Sequence, residues 1–233
     1  MNLYVLVEDG KSGRIIMDRW IGMLLPGLRR AEAVGAVQDN HYVVFSGFGY
    51  PRLLGTNPAS PSKNVLGQTI ETINASQKFD YLVIFLDGDN EGPWERTRQV
   101  REKIAGYQET LSIPFAVFVQ NKCLETWLLG NRDFFPSEAS PAFSSYAAHY
   151  DVSSQDPELM GADPGSALTD SLFHEKYLRQ MMKEAGHLYS KSRPAPIVCT
   201  PSFMTGLQER VLQTCHLGSL LYFFDFMADF PLS

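Results

Sequence analysis

A chain of 233 residues, 44% hydrophobic and 20% charged with a net charge of −6, has apolar area enough for a substantial core, which excludes disorder as its main state. No apolar run reaches the roughly 20 residues that cross a bilayer, and the opening from Met1 to Asp9 meets two acids and no basic segment, unlike a signal peptide. A cytoplasmic protein with no membrane partner is expected.

Over residues 1–130, short apolar runs alternate with amphipathic stretches, the pattern of βα units around a mostly parallel sheet. Strands are predicted at 3–7, 41–45, 81–86 and 115–119, and helices at 13–30, 63–77, 93–110 and 123–129. The last two strands are apolar without alternation, as strands covered on both faces are. Pro93 suits the first turn of its helix, where its missing N–H has no intrahelical partner. The fold class is α/β: a central four-stranded, mostly parallel sheet flanked by helices, with a helical C-terminal extension on the same core.

After Gly130 the texture changes. Residues 131–165 hold four prolines, many serines and a local charge of −5, which reads as an irregular connection with one short helix near 142–149. Helices follow at 165–185 and 202–215, and the apolar stretch 219–227 reads as a helix packed on the core or as a partner-binding surface. Two regions are therefore expected, 1–130 and 131–233.

Chemistry concentrates in Leu86-Asp87-Gly88-Asp89-Asn90-Glu91-Gly92-Pro93, directly after the most apolar strand. Residues i and i+2 of a strand share a side, so Asp87 and Asp89 are expected to converge beyond its carboxyl end, where open α/β sheets build their sites. Glu8 and Asp9 close the first strand in the same way. Hard cations such as Mg²⁺ and Mn²⁺ take oxygen ligands, and Glu8, Asp87 and Asp89 form a candidate set.

A strand-terminal Glu paired with a downstream strand ending in Asp-x-Asp-x-Glu-Gly resembles the Toprim domain of topoisomerases, primases and OLD-type nucleases. Glu8 matches the N-terminal glutamate, Asp87 and Asp89 the Asp-x-Asp, and Glu91-Gly92 its extension. The stretch from Phe115 through Glu125-Thr126-Trp127-Leu128-Leu129 resembles the small Toprim-like family DUF4276, whose later Tyr-x-Lys would be Tyr189-Ser190-Lys191. One departure is that Asp9 intervenes before Gly10 where the family has Glu-Gly, so that the turn is reshaped or Asp9 is an extra ligand.

The resemblance implies a Rossmannoid Toprim core and phosphodiester hydrolysis by metal-activated water, with two Mg²⁺ or Mn²⁺ ions roughly 3.5–4 Å apart. Glu8, Asp87 and Asp89 would hold the first ion, and Glu125 with Asp9 or Glu91 the second. Lys191 would stabilise charge on the phosphoryl group. Nucleic acid is the implied partner, DNA ahead of RNA, in an antiviral or mobile-element system. An alternative is a non-catalytic or partner-activated subunit working with a separate ATPase, suggested by the apolar tail and the missing P-loop. Homo-oligomerisation is left open.

Other motifs weigh less. Phe85-Leu86-Asp87-Gly88-Asp89 is also similar to the start of haloacid-dehalogenase phosphotransferases, but that motif belongs on an N-terminal strand. The five histidines show no zinc spacing, and three scattered cysteines, Cys123, Cys199 and Cys215, are expected to be buried thiols. Gly47-Phe48-Gly49-Tyr50 reads as a loop. Bases recur on predicted helices as Arg14, Arg19, Arg29 and Arg30, as Arg96, Arg98, Arg101 and Lys103, and as Lys176, Arg179 and Lys183. Each group is read as a solvated face that can also meet phosphate.

Overall fold

The first strand, β1 (Leu3–Val7), is buried along its whole length. In the computed structural model, which describes residues 1–56 and 64–230, it is followed by α1 (Ser12–Leu24), β2 (Arg29–Arg30), β3 (His41–Ser46), α2 (Tyr50–Leu53) and α3 (Val65–Ser76). Then come β4 (Tyr81–Asp87), α4 (Gly92–Ala105), β5 (Phe115–Gln120), α5 (Leu124–Leu128), α6 (Pro141–His149), α7 (Asp170–Glu184), α8 (Pro201–Thr214) and α9 (Gly218–Ala228). Lys63, the expected start of the helix at 63–77, lies outside the described residues.

Two compact units divide the chain. The first comprises Met1–Leu86, Pro93–Val119 and Phe230–Ser233, and the second Asp87–Gly92 and Gln120–Asp229. The division therefore runs through the ends of β4 and β5 instead of falling at Gly130. Backbone bonds explain why the two excursions go together: Gly88 N–H donates to the Gln120 carbonyl at 2.8 Å and Asp89 N–H to that of Lys122 at 2.7 Å.

In the first unit the strands form a parallel sheet in the order β2-β3-β1-β4-β5, with Val7 in register with Ser46 on one side and Phe85 on the other. The sheet has five strands where four were expected. The additional one is only Arg29–Arg30 on the edge, two charged residues that carry no apolar pattern to read. They fall inside the expected first helix, which ends at Leu24, before Pro26. Alternate strand residues such as Leu6, Val43, Leu82, Ile84 and Val117 pack against Ile70 and Ile73 of α3 and Val100 and Ile104 of α4. The other set, including Leu3, Val5, Val44, Val83 and Phe85, is equally buried, as the continuous apolar runs predicted. Strand order reverses between β1 and β4, and at such a point open α/β sheets leave a crevice outside the carboxyl ends of the strands.

The second unit is helical. Its α9 buries Leu220, Phe223, Phe224 and Met227, and Phe223 stacks on Trp127 with centroids 5.8 Å apart. The apolar tail thus belongs to this unit's own core, leaving Tyr222 as its exposed large hydrophobic residue. Phe143 and Tyr146 of α6 pack on Phe173 and Tyr177 of α7 through ring contacts. The acidic connection is ordered by one cation. Arg210, 1% exposed, donates to the carbonyls of Ser153 at 2.7 Å, Gln155 at 2.8 Å and Val152 at 3.1 Å. Burial brings its pKa down to about 10, so it stays charged at neutral pH.

Replacing Arg210 with methionine keeps volume but leaves three carbonyls without that donor. Offsetting their loss against the relieved desolvation of a guanidinium, we expect a destabilisation of about 3 kcal/mol. Urea unfolding followed by circular dichroism measures it, and a loss below about 1 kcal/mol would remove Arg210 as the clamp on this segment.

Candidate functional site

At the end of β1, the first unit contributes two acids with separate partners. Glu8 accepts the Tyr50 N–H on Oε1 at 3.0 Å, and its own carbonyl accepts Gly49 N–H at 3.0 Å. The loop Gly47–Tyr50, which the sequence offered only as a turn, is the device that holds Glu8. Asp9 is engaged differently. Its Oδ1 accepts the Lys11 N–H at 2.9 Å, and its Oδ2 accepts the Gly13 N–H at 2.7 Å and the Ser12 hydroxyl at 3.0 Å. These donors make Asp9 the cap for the opening turn of α1, which accounts for the residue inserted before Gly10. Gly13 is required by that contact, since a Cβ there would lie 3.0 Å from the Asp9 Cβ.

Arg96, on α4 in the same unit, is buried with its guanidinium 3.6 Å from the Tyr50 ring centroid. Arg98 is bridged by Glu95 at 2.5 Å and Glu102 at 2.6 Å, and Arg30 by Asp18 at 2.8 Å. These bases are therefore committed within the unit, so the expectation of a uniformly solvated basic face does not hold for them.

The second unit contains Asp87, Asp89, Glu91, Glu125 and Lys191. Asp87 is the last residue of β4, and its Oδ1 accepts the Leu124 N–H at 3.0 Å. Asp89 is past the strand, with φ of 46°, a left-handed conformation that Asp tolerates better than most residues. The period-two argument therefore stops at Asp87, and a turn aims Asp89. Its Oδ1 accepts the Ser171 hydroxyl at 3.1 Å. Gly88 makes the turn possible, because a Cβ there would lie 3.0 Å from the Gln120 carbonyl oxygen. Glu91 is exposed, and its N–H donates to the Gly88 carbonyl at 3.1 Å.

Glu125 is 2% exposed. The Tyr189 hydroxyl donates to its Oε1 at 2.8 Å, and Lys191 Nζ lies 3.8 Å from Oε2. Reciprocal backbone bonds between Ser190 and Arg193, 3.0 and 3.1 Å long, close the turn that presents the lysine. Tyr189-x-Lys191 and Glu125, 64 positions apart at the tyrosine, thus form one cluster. Burial alone would lower the Lys191 pKa, but the carboxylates of Glu125 and then Asp87 raise it above the ordinary lysine value. Asp87 and Glu125 therefore act on one cation. The Cys123 thiol is pushed well up by burial and then by the same two carboxylates, which keeps it protonated and unreactive. Cys215, by contrast with the expectation of buried thiols, is exposed, and Cys199 is half-buried.

Supporting residues appear that sequence reasoning missed. Lys122 adopts φ of 71° and pairs with Asp170 at 2.6 Å, while its carbonyl receives the Asp89 N–H. Burial would raise the Asp170 pKa, but hydrogen bonds from Lys122 and the Ala162 N–H hold it below the ordinary value. His174 is fully buried, with Nε2 3.0 Å from the Met160 carbonyl and Nδ1 2.8 Å from Thr126 Oγ1. A carbonyl only accepts, so Nε2 carries the proton and Nδ1 accepts from the threonine. Thr126 follows Glu125 on α5, so the neutral imidazole steadies the helix that carries the acid. No sequence signal distinguishes Lys122 or His174, whose roles arise from partners about 48 positions away.

Carboxylate oxygens are the donor type that hard divalent cations take. Asp87, Asp89 and Glu125 offer carboxylate oxygens, and the Asp87–Glu125 neighbourhood already favours positive charge, as Lys191 shows. Among the described residues no three His, Cys, Asp or Glu side chains are gathered closely enough to hold a metal ion together. No protein-family model, curated protein or solved structure matches this chain.

Two outcomes test this arrangement. Tyr189→Phe removes a hydrogen bond to a buried carboxylate and is expected to cost about 2 kcal/mol in urea unfolding, against near zero for the exposed Leu188→Ala. His174 has its pKa lowered to about 4 by burial, so the unfolded chain binds its proton first, and stability falls as pH drops from about 6.5 toward 4. His174→Gln, which keeps a donor and an acceptor, should flatten that fall by roughly 3 kcal/mol, and superimposable pH profiles would refute a buried neutral imidazole.

Proposed function

We propose that the chain is a metal-dependent nuclease that hydrolyses phosphodiester bonds in nucleic acid, with Asp87, Asp89 and Glu125 as acidic ligands and Lys191 as the adjoining cation. The observation that carries this reading is the contact of Glu125 with Tyr189 and Lys191, residues that the resemblance to Toprim-like proteins singled out from distant parts of the chain, with the Asp87 carboxylate also raising the Lys191 pKa.

Each residue's part follows from its contacts. Leu124 N–H and the Ser171 hydroxyl orient the two aspartates through one oxygen each. Tyr189 fixes Glu125, so that its other carboxylate oxygen faces Lys191. Lys191, protonated throughout the physiological range, meets developing negative charge on a phosphoryl oxygen. Mg²⁺ or Mn²⁺ bound by these acids would supply Lewis-acid polarisation of the phosphate and a more acidic water. Asp9, occupied by three donors at the start of α1, is assigned to capping.

Incubating the chain with plasmid and labelled oligonucleotides tests this directly. Cleavage should require Mg²⁺ or Mn²⁺ and fall at least 100-fold in Asp87→Asn and Asp89→Asn with melting temperatures unchanged. Lys191→Met should slow cleavage about 10- to 100-fold, the range expected when charge stabilisation is lost. Equal cleavage by wild type and Asp87→Asn would refute the assignment.

A further inference from the structure

A second feature of the helical unit has the chemistry of a phosphate site. Along α7, Lys176, Arg179 and Lys183 are spaced i, i+3 and i+7, which puts them on one face. They line a cavity of about 310 Å³ together with Tyr146, His187 and Tyr189. That volume lies in the range of small-molecule pockets, roughly 300–1,000 Å³. Among the described residues neither Lys176 nor Lys183 has an ion-pair partner, and Arg179 reaches only Glu175 at a long 3.9 Å. The contrast with α4 is informative, because Arg98 there is bridged on both sides.

A neighbouring cavity of about 300 Å³ shares Tyr146 and Lys176 and adds Phe173 and Leu168 together with the polar Ser145, Asp163 and Ser166. Tyr146 and Lys176 therefore line both cavities, a ring and a cation shared between them. The Tyr146 ring is held by Phe173 at 5.4 Å and Tyr177 at 5.2 Å, so it is positioned before anything binds. A cation cluster beside a fixed ring, with a second compartment next to it, is the layout that takes a phosphate and the base attached to it. Tyr189 lines the cationic compartment and also donates to Glu125, which joins this pocket to the acidic cluster through one side chain.

We infer that Lys176, Arg179, Lys183 and Tyr146 form a nucleotide-binding pocket that holds a single nucleic-acid strand, its backbone phosphate on the cations and a base against Tyr146. The inference deepens the nuclease reading, on which it rests for the identity of the ligand as nucleic acid. A duplex would keep its bases stacked and out of the second compartment, so the pocket selects single strands.

The test is binding without catalysis. Anisotropy of a fluorescein-labelled single-stranded 12-mer in EDTA, over 50–200 mM NaCl, reads affinity and salt slope for the full chain. Lys176→Ala/Lys183→Ala should bind at least tenfold more weakly at 100 mM NaCl. Its log–log salt slope should fall by about 1.4, the contribution of two single-strand phosphates. Tyr146→Leu should weaken binding several-fold with the slope retained, and AMP should compete where inorganic phosphate does so less well. Unchanged affinity and slope in the lysine double variant, or a duplex bound as tightly as the single strand, would overturn the pocket whatever the cleavage assay gives. Pocket-dependent binding by a chain that cleaves nothing would support the pocket and remove the nuclease reading alone.

Discussion

Glu125 is a carboxylate with 2% of its surface exposed, and the second unit is arranged around that burden. An ionised group so placed is stable only when hydrogen-bonded and paired. Tyr189 supplies the hydrogen bond and Lys191 the charge, and both come from a turn closed by the backbone of Ser190 and Arg193. Holding that turn and the α5 helix together calls for the interlocked polar groups around them. Thr126 bonds His174, His174 bonds the Met160 carbonyl, and Trp127 donates to Ser219, which in turn donates to the half-buried Glu158. The burial of one acid thus explains an otherwise unexpected density of polar side chains in a helical core.

The acids of this chain divide by what their neighbours ask of them. Asp9, Asp151 and Asp156 satisfy backbone N–H groups at turns and helix starts, a local task that short carboxylates perform well. Asp87 and Asp89 each take one hydrogen bond from a distant segment, which orients them. Glu158 is different again, since burial pushes its pKa above the ordinary glutamate value while hydrogen bonds from Ser219 hold it down. A net charge of −6 therefore says little about the surface a phosphate would meet. Much of the negative charge is spent on internal hydrogen bonds, while the cations of α7 face open cavities.

Left-handed residues set the geometry near Asp89. Asp89 at φ 46° and Lys122 at φ 71° lie opposite each other, joined by the 2.7 Å bond from the Asp89 N–H to the Lys122 carbonyl. Neither is glycine, so each pays a conformational cost that must be met by its contacts. Ser171 bonds the side chain of the first, and Asp170 pairs with that of the second. Consecutive residues at the start of α7 therefore secure both ends of the turn, which links the basic helix to the acidic loop within one unit.

What the amino-acid order determined by itself is what short-range pattern can carry. Continuous apolar runs marked β1, β3, β4 and β5 to within a residue or two, because burial on both faces leaves no room for polar alternation. Acids after such runs marked Glu8, Asp87 and Asp89, and the Glu-x-Trp and Tyr-x-Lys motifs drew attention to Glu125, Tyr189 and Lys191. The edge strand Arg29–Arg30 was illegible, since two charged residues become a strand only by pairing with β3. Only the tertiary structure separated the capping role of Asp9 from the orienting contacts of Asp87 and Asp89, joined Tyr189 and Lys191 to Glu125, and set the bases of α7 along cavities. The contacts of Asp87, Asp89 and Glu125 depend on partners dozens of positions away, and local composition holds no record of the distance between them.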